Sequence, residues 1–210
     1  MRLFILGGGG HSKVVSDAAL LTGKWRSIHI VDPNQEPNLE IDSKKDAIFY
    51  EGNDLFQTNF NSKKDVLFIG IGSSQIRSKL YSEHSKSDIS FINIAHPTAT
   101  LSKTIQVKEG SFFGPNSVVN AQANIGVCVI VNSAAVVEHD CIIGDFSHIA
   151  PRATIAGGVE VGRYTLIGGN SFINENIKIA DNIIVGSGSV VPFDLLEAGT
   201  YVGNPVKKIK

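Results

Sequence analysis

Residues 119–149 read VNAQANIGVCVIVNSAAVVEHDCIIGDFSHI, and a large apolar residue returns at every sixth position: Val119, Ile125, Val131, Val137, Ile143, Ile149. Stepping by six in both directions extends the series back to Leu101, Val107 and Phe113 and forward to Ile155, Val161, Ile167, Ile173, Ile179, Val185 and Val191. If half of all positions were apolar, chance would produce such a run on the order of once in 10⁴ trials, even with six phases tried. Two residues before most members the side chain is small, as at Ser111, Ser117, Ala123, Ala135, Cys141, Ser147, Ala153, Thr165, Ser171 and Ser189. Glycine often follows, at 126, 144, 162, 168 and 186. A period of six does not follow the 3.6-residue turn of an α-helix. It predicts a hexapeptide parallel β-helix. Each unit is a short strand plus a corner, three units close a triangular coil, and the apolar residue points inward. Sixteen units make about five coils, and no insertion shifts the phase.

Outward from this segment the pattern changes. Leu3-Phe4-Ile5-Leu6 is a short buried strand, followed by Gly7-Gly8-Gly9-Gly10-His11-Ser12 and a helical stretch from Lys13 to Leu21. A second strand, Ser27 to Val31, ends at Asp32-Pro33. This is a βαβ unit with a glycine-rich first turn, where bare backbone and a helix N-terminus can accept a diphosphate. With Gly7 and Gly9 as the first glycines of GxGxxG, the third position is Ser12. The unit is also short, so a mononucleotide or nucleotide sugar fits better than a dinucleotide. A third strand, 65–70, leads through Gly72 and Ser73 into a helix ending near Ser85. Residues 33–64 are polar and uninformative, and 91–95 form a last strand. His96-Pro97 marks the boundary, because the residue before proline favours extended backbone. The expected fold is an α/β Rossmann-like domain over 1–95, followed by an all-β parallel β-helix with a C-terminal tail over 96–210.

The 210 residues carry a net charge of −1, so there is no general basic character to favour nucleic acid. Two cysteines are too few for a disulfide framework. The N-terminal apolar run breaks into glycines after six residues, so neither membrane insertion nor a signal peptide is expected, and a cytoplasmic location is.

Of six histidines, His139 stands out, in Val137-Glu138-His139-Asp140-Cys141. It lies two residues past the inward Val137, at a corner, and faces outward with a carboxylate on each side. A carboxylate that holds an imidazole fixes its tautomer and raises its basicity. Transfer from a thioester needs such a base and a donor for the developing oxyanion, with no covalent enzyme intermediate. His148, also outside the inward series, either donates to the thioester carbonyl or makes an interface hydrogen bond. A zinc site is not expected, since His139, His148 and the peripheral His96 supply no well-placed third ligand. His11 can donate to a phosphate or sugar oxygen, and Asp32 can bind a ribose or base or cap a turn. His29 and His84 read as structural or solvated. The Gly203-Asn204-Pro205 turn and the lysines after it can pack on an adenine and hold phosphates, or form a solvated tail.

Together these segments resemble the NeuD/PglD-type sugar acetyltransferases over essentially the whole chain. The shared motifs are Gly-Gly-Gly-Gly-His-Ser-Lys, Ile71-Gly72-Ser73-Ser74-Gln75-Ile76-Arg77, the His139-centred segment through His148, and Gly203-Asn204-Pro205. The resemblance implies a left-handed β-helix and a homotrimer with acetyl-CoA as co-substrate in a groove between neighbouring β-helices. It implies His139 as base and Asp140 as the residue that tunes it. His148, Gly157, Gly169, Gly186, Ser187 and Pro205 fall at acetyl-CoA contacts. Gly9, Gly10, His11, Asp32, Gly72 and Ser73 fall in the nucleotide-sugar site. Asp140 stands where bacillosamine enzymes can carry the longer Glu, and Gly169 and Ser187 depart from the family residues, so backbone contacts carry over there. The most specific reaction implied is N-acetylation of a UDP-4-amino-4,6-dideoxy sugar to UDP-di-N-acetylbacillosamine. GDP- or dTDP-linked amino sugars, O-acetylation of sialic acid, and a non-enzymatic sugar-nucleotide-binding solenoid are the alternatives.

Overall fold

The six-residue period becomes a run of two-residue strands, each pairing in parallel with the strand 18 residues on: Val118 with Val136, Val136 with Thr154, Thr154 with Phe172. These lie in a computed structural model that describes residues 1–32, 41–43, 46–51, 60–86 and 88–210. The chain divides into two units, Met1–Pro97 and Thr98–Lys210. In the second unit the strands stack into the three sheets of a triangular β-helix. One sheet holds Phe112–Phe113, Ile130–Val131, His148–Ile149, Leu166–Ile167 and Ile183–Val185. The second holds Val118–Val119, Val136–Val137, Thr154–Ile155, Phe172–Ile173 and Val190–Val191, and the third Asn124–Ile125, Ile142–Ile143, Glu160–Val161 and Lys178–Ile179.

Fourteen of the sixteen inward residues are buried; Leu101 and Val107, in the first coil, are half-buried because they have neighbours on one side only. The small residues two positions earlier do more than fit. Their side chains bond the backbone of the coil above. Ser147 Oγ donates to Gly162 O at 2.6 Å and accepts from Thr165 N–H at 3.1 Å. Ser171 repeats this with Gly186 O at 2.9 Å and Ser189 N–H at 3.3 Å. Buried corner amides that no strand can pair are satisfied this way.

The glycines after the inward residues are set by packing and not by a turn. A Cβ at Gly144 would stand 2.7 Å from Arg163 N, and one at Gly186 2.6 Å from Val202 Cγ1. They are bare because the next coil lies against them. The left-handed backbone falls instead on non-glycine corner residues in the same period, among them Gln122, Cys128, Ala134, Asp140, Phe146 and Arg152. After the last coil, Gly199–Gly203 adds a parallel strand and turns back through Val206–Lys208. The tail is thus a hairpin, in which Lys208 Nζ pairs with Glu197 at 3.0 Å.

The first unit is a sheet in the order β3-β4-β2-β1-β5-β6. Its strands are β1 (Arg2–Leu6), β2 (Ser27–Val31), β3 (Ile41–Ser43), β4 (Asp46–Glu51), β5 (Asp65–Ile69) and β6 (Ser90–Phe91). All pairs are parallel except β3 with β4. Among the described residues, helices α1 (Gly10–Leu21) and α2 (Ser74–His84) follow β1 and β5. Leu3, Phe4, Ile5, Ile28, Ile30, Leu67, Phe68 and Ile69 form the core.

Three expectations change. Helix α1 starts at Gly10 rather than Lys13, since an extended Gly9 already caps it, so His11 and Ser12 belong to its first turn. The single strand expected over 91–95 is two, because Ser90–Phe91 ends this sheet while Ile94–Ala95 is a separate strand. Two strands, β3 and β4, lie in the stretch judged uninformative; the rest of 33–59, Pro33 included, lies outside the described residues. His29 is structural, stacked on Phe4 at 4.5 Å. Gly70 is a close approach: a Cβ there would meet Ile5 at 2.7 Å and Ser12 at 2.9 Å. Its bareness lets α1 sit down on the sheet.

Arg2 Nε and Nη2 donate to both oxygens of the buried Asp65 carboxylate at 3.0 and 2.6 Å, and Asn61 N–H adds a bond at 2.8 Å. Burial alone would raise this carboxyl; the Arg2 and Asn61 bonds outweigh it and hold the pKa below its ordinary 3.8. A pKa lower in the folded than in the unfolded chain stabilises the fold above the unfolded value. That contribution is lost as pH falls through the folded value. Urea unfolding should therefore show an acid-side loss of stability that Asp65→Asn reduces, with a cost of about 1–3 kcal/mol at neutral pH. An unchanged acid limb in the variant would remove the pair from the account.

Candidate active site

In the first unit the predicted nucleotide-sugar residues converge on one edge. β1 lies between β2 and β5, so the segments leaving β1 and β5, and Asp32 at the end of β2, lie at the carboxyl ends of the parallel strands, where the sheet order reverses. Gly9, Gly10 and Gly72 have open space where a Cβ would stand. Asp32 Oδ2 accepts the Gly8 backbone N–H at 2.6 Å, so this carboxylate shapes the glycine-rich turn. Ser73 is the N-cap of α2, accepting Ile76 N–H at 3.4 Å. Arg77, buried in α2, donates to Ile71 O and Gly72 O at 3.0 and 2.8 Å and braces that loop. His11 is pushed down to about 4, first by burial and then by the Arg77 charge. It is neutral at neutral pH and can bind a phosphate or sugar oxygen only as a hydrogen-bonding group, not as a cation.

In the second unit His139 and Asp140 stand at the corner between strands Val136–Val137 and Ile142–Ile143. His139 points outward, with its side chain 62% exposed. Its Nδ1 lies 2.8 Å from Asp140 Oδ2. A carboxylate only accepts, so Nδ1 is the donor here, and the neutral ring then has its lone pair on Nε2. Asp140 reaches the ring despite being shorter than Glu; its left-handed φ of 60° turns the side chain back over its neighbour. Glu138, the other carboxylate, accepts from Asn120 Nδ2 at 2.8 Å. Gly157 lies in the next coil, against the His139 ring.

Cys141, two residues on, is buried, and its Sγ–H donates to Ala156 O at 3.1 Å. Burial pushes its thiol pKa up, with Glu138 and Asp140 adding to the rise. It remains a thiol and offers no thiolate nucleophile. Among the described residues no cluster of three or more His, Cys, Asp or Glu could hold a metal.

His148 lies on the outward side of its strand, half-buried, its Nε2 3.0 Å from Asn132 Nδ2. Gly169 and Ser187 stack in one column one coil apart at a second corner, beside Gly186, and Pro205 lies in the terminal hairpin. The residues expected along acetyl-CoA therefore occupy different corners of the prism: Gly157 is with His139, the others are not. Asn132, Asn120 and the contact of Gly157 with the ring escaped the sequence reading. The signal for two of them was there, because one coil is 18 residues and both Asn120–Glu138 and His139–Gly157 have that spacing.

Comparisons with known proteins agree with both units. Residues 2–84 match the family described as PglD N-terminal domain, and residues 95–204 the family described as GMPPB C-terminal domain. The fold matches the acetyltransferase domain of PglB from Neisseria gonorrhoeae in complex with acetyl coenzyme A, with a TM-score of 0.93 and 26% identity, over 99% of this chain and 98% of that one. It matches PerB from Caulobacter crescentus in complex with CoA and GDP-perosamine at a TM-score of 0.86 and 31% identity, over 100% and 98%. The GDP-perosamine N-acetyltransferase of Escherichia coli O157:H7 is 26% identical over 70% of this chain and 69% of its own length. Matches to acyl-(acyl-carrier-protein)–UDP-N-acetylglucosamine O-acyltransferases span only 30% to 45% of those proteins.

An α/β unit with a glycine-rich turn after its first strand, joined to a β-helix whose corner presents a carboxylate-held imidazole, defines a hexapeptide-repeat acyltransferase. The chain belongs to the NeuD/PglD-type sugar acetyltransferases.

Proposed function

We propose that this protein transfers the acetyl group of acetyl-CoA to the 4-amino group of a nucleotide-linked amino sugar. The observation that carries the reading is the His139 Nδ1–Asp140 Oδ2 contact at 2.8 Å on an exposed corner. It leaves Nε2 as a base with a fixed tautomer. The amine attacks the thioester carbonyl, a C–N bond forms, and the C–S bond breaks. Nε2 takes the proton that the nitrogen sheds, and that proton can pass to the departing CoA sulfur. Cys141 is held as a thiol, which supports direct transfer without an acyl-enzyme.

The first unit binds the sugar nucleotide at Gly9, Gly10, His11, Asp32, Gly72 and Ser73, with the diphosphate at the α1 N-terminus. His148, Gly169, Gly186, Ser187 and Pro205 line the acetyl-CoA path. They fall at separate corners, and a homotrimer of parallel prisms brings a corner of one copy beside a face of the next. The outward rows fit this assembly. Thr100, Val118, Val136, Thr154, Phe172 and Val190 make one face largely apolar, whereas Gln106, Asn124, Glu160 and Lys178, with Ile142 among them, make another mostly polar. The setting is the cytoplasm, where acetyl-CoA is available; among the described residues no helix is long and apolar enough to cross a membrane.

Two acceptors lead. One is UDP-4-amino-4,6-dideoxy-N-acetylglucosamine, giving UDP-di-N-acetylbacillosamine, supported by the PglD-type first unit and the PglB likeness. The other is GDP-perosamine, supported by 31% identity to PerB over the whole chain. Free-thiol release from acetyl-CoA with a panel of UDP-, GDP- and dTDP-linked 4-amino sugars separates them. Release with one nucleotide class identifies the acceptor. Binding of a sugar nucleotide without CoA release from any would overturn the enzymatic reading.

A further inference from the structure

The corner that carries His139 has an empty place in the coil above it. An ideal Cβ on Gly157 would stand 2.7 Å from His139 Cε1, 2.8 Å from Nε2 and 3.3 Å from Nδ1. These are the ring edge that would meet the acceptor and the nitrogen that bonds Asp140. Gly157 has no left-handed backbone to require glycine, unlike its neighbour Gly158 at φ +69°. Gly158 N–H also donates to His139 O at 2.9 Å, which fixes the two coils in register at this point. No left-handed φ therefore demands glycine at 157, and the three atoms nearest to where its side chain would begin all belong to the His139 ring.

From this we infer that Gly157 is a positioning residue: its missing side chain is the seat of the His139 imidazole, and it sets where Nε2 stands. The inference rests on His139 being the base. It differs from a backbone contact to acetyl-CoA, the role that the resemblance implies for this residue. A methyl group at 157 has the strand-pinned coil beneath it and cannot retreat. The exposed imidazole is the part that yields, and it swings away from Asp140 and from the acceptor. A group displaced by about 1 Å from its productive position can lose on the order of 10²-fold in rate.

The test is a double-mutant cycle on the full chain. Gly157→Ala should lower kcat by about 10- to 10²-fold while the KM for acetyl-CoA stays within about twofold. In a His139→Ala background, where there is no ring to displace, the same change should cost nothing further. Thermal melts give a second readout that needs no activity: Gly157→Ala should lower the melting temperature, and adding His139→Ala should restore it. A loss expressed in the KM for acetyl-CoA, or an equal loss with and without the imidazole, would overturn the inference and make Gly157 a contact for the co-substrate. Near-normal turnover in His139→Ala alone would overturn the base assignment and this inference with it.

Discussion

His139→Ala should lose at least about 10²-fold in turnover with acetyl-CoA and the sugar nucleotide, within the usual range for removal of a general base. The geometry gives the reason. Asp140 fixes the proton on Nδ1, so the alanine variant removes both the lone pair that accepts the amine proton and the group whose charge Asp140 balances. Binding should survive, because the proposed nucleotide-binding residues lie in the first unit, on the segments after β1 and β5 and at Asp32, and not at the His139 corner. The loss should therefore fall in kcat with little change in the KM for the sugar nucleotide. Asp140→Asn should reduce kcat less. Asn also accepts from Nδ1 and tolerates the left-handed backbone at this position, but carries no charge to balance an imidazolium. Steady-state thiol release decides both. Turnover near the parent's in His139→Ala would transfer the base to another group.

The second large effect is on stability. Ile149→Ala should cost about 2–5 kcal/mol, because its side chain is fully buried and stacked between Val131 and Ile167 of the adjacent coils. In a stack of coils the cavity cannot close without pulling two hydrogen-bonded ladders together, so collapse is limited. For a chain of this size, that corresponds to a fall in Tm of roughly 5–15 °C. Leu101→Ala, in the half-buried first coil, should cost distinctly less. Calorimetry or urea unfolding of the pair compares them. Equal losses would show that the stack is not the source of the stability.

Much of the fold was legible because a β-helix repeats one local arrangement. Period six names the inward residue of every strand, and the phase alone put Val137 inside and His139 outside. The glycines were legible as positions but not in their reason. A sequence shows that Gly144 follows Ile143; only the stacked coils show that Arg163 backbone lies where its Cβ would go. The first unit was less legible. β3 is three residues long and β4 rests on a single short run, Ala47-Ile48-Phe49-Tyr50, set in a polar stretch whose composition masked it, and α1 begins at a glycine that propensity reads as a turn. Within the site, Glu138 and Asp140 flank His139 equally in sequence. The choice between them comes from Asn120, which takes Glu138, and from a left-handed backbone that swings Asp140 onto Nδ1.

By itself, then, the sequence determined the β-helix, its phase, the glycine-rich βαβ start and the identity of the outward histidine. Each of these is written in periodicity or in neighbouring residues. Tertiary structure decided which carboxylate holds the imidazole, why Gly157 is bare, and that His148 leans on Asn132. Those contacts join residues up to 18 positions apart through coil stacking, and spacing along a chain carries no direction for a side chain until the coils are laid on one another.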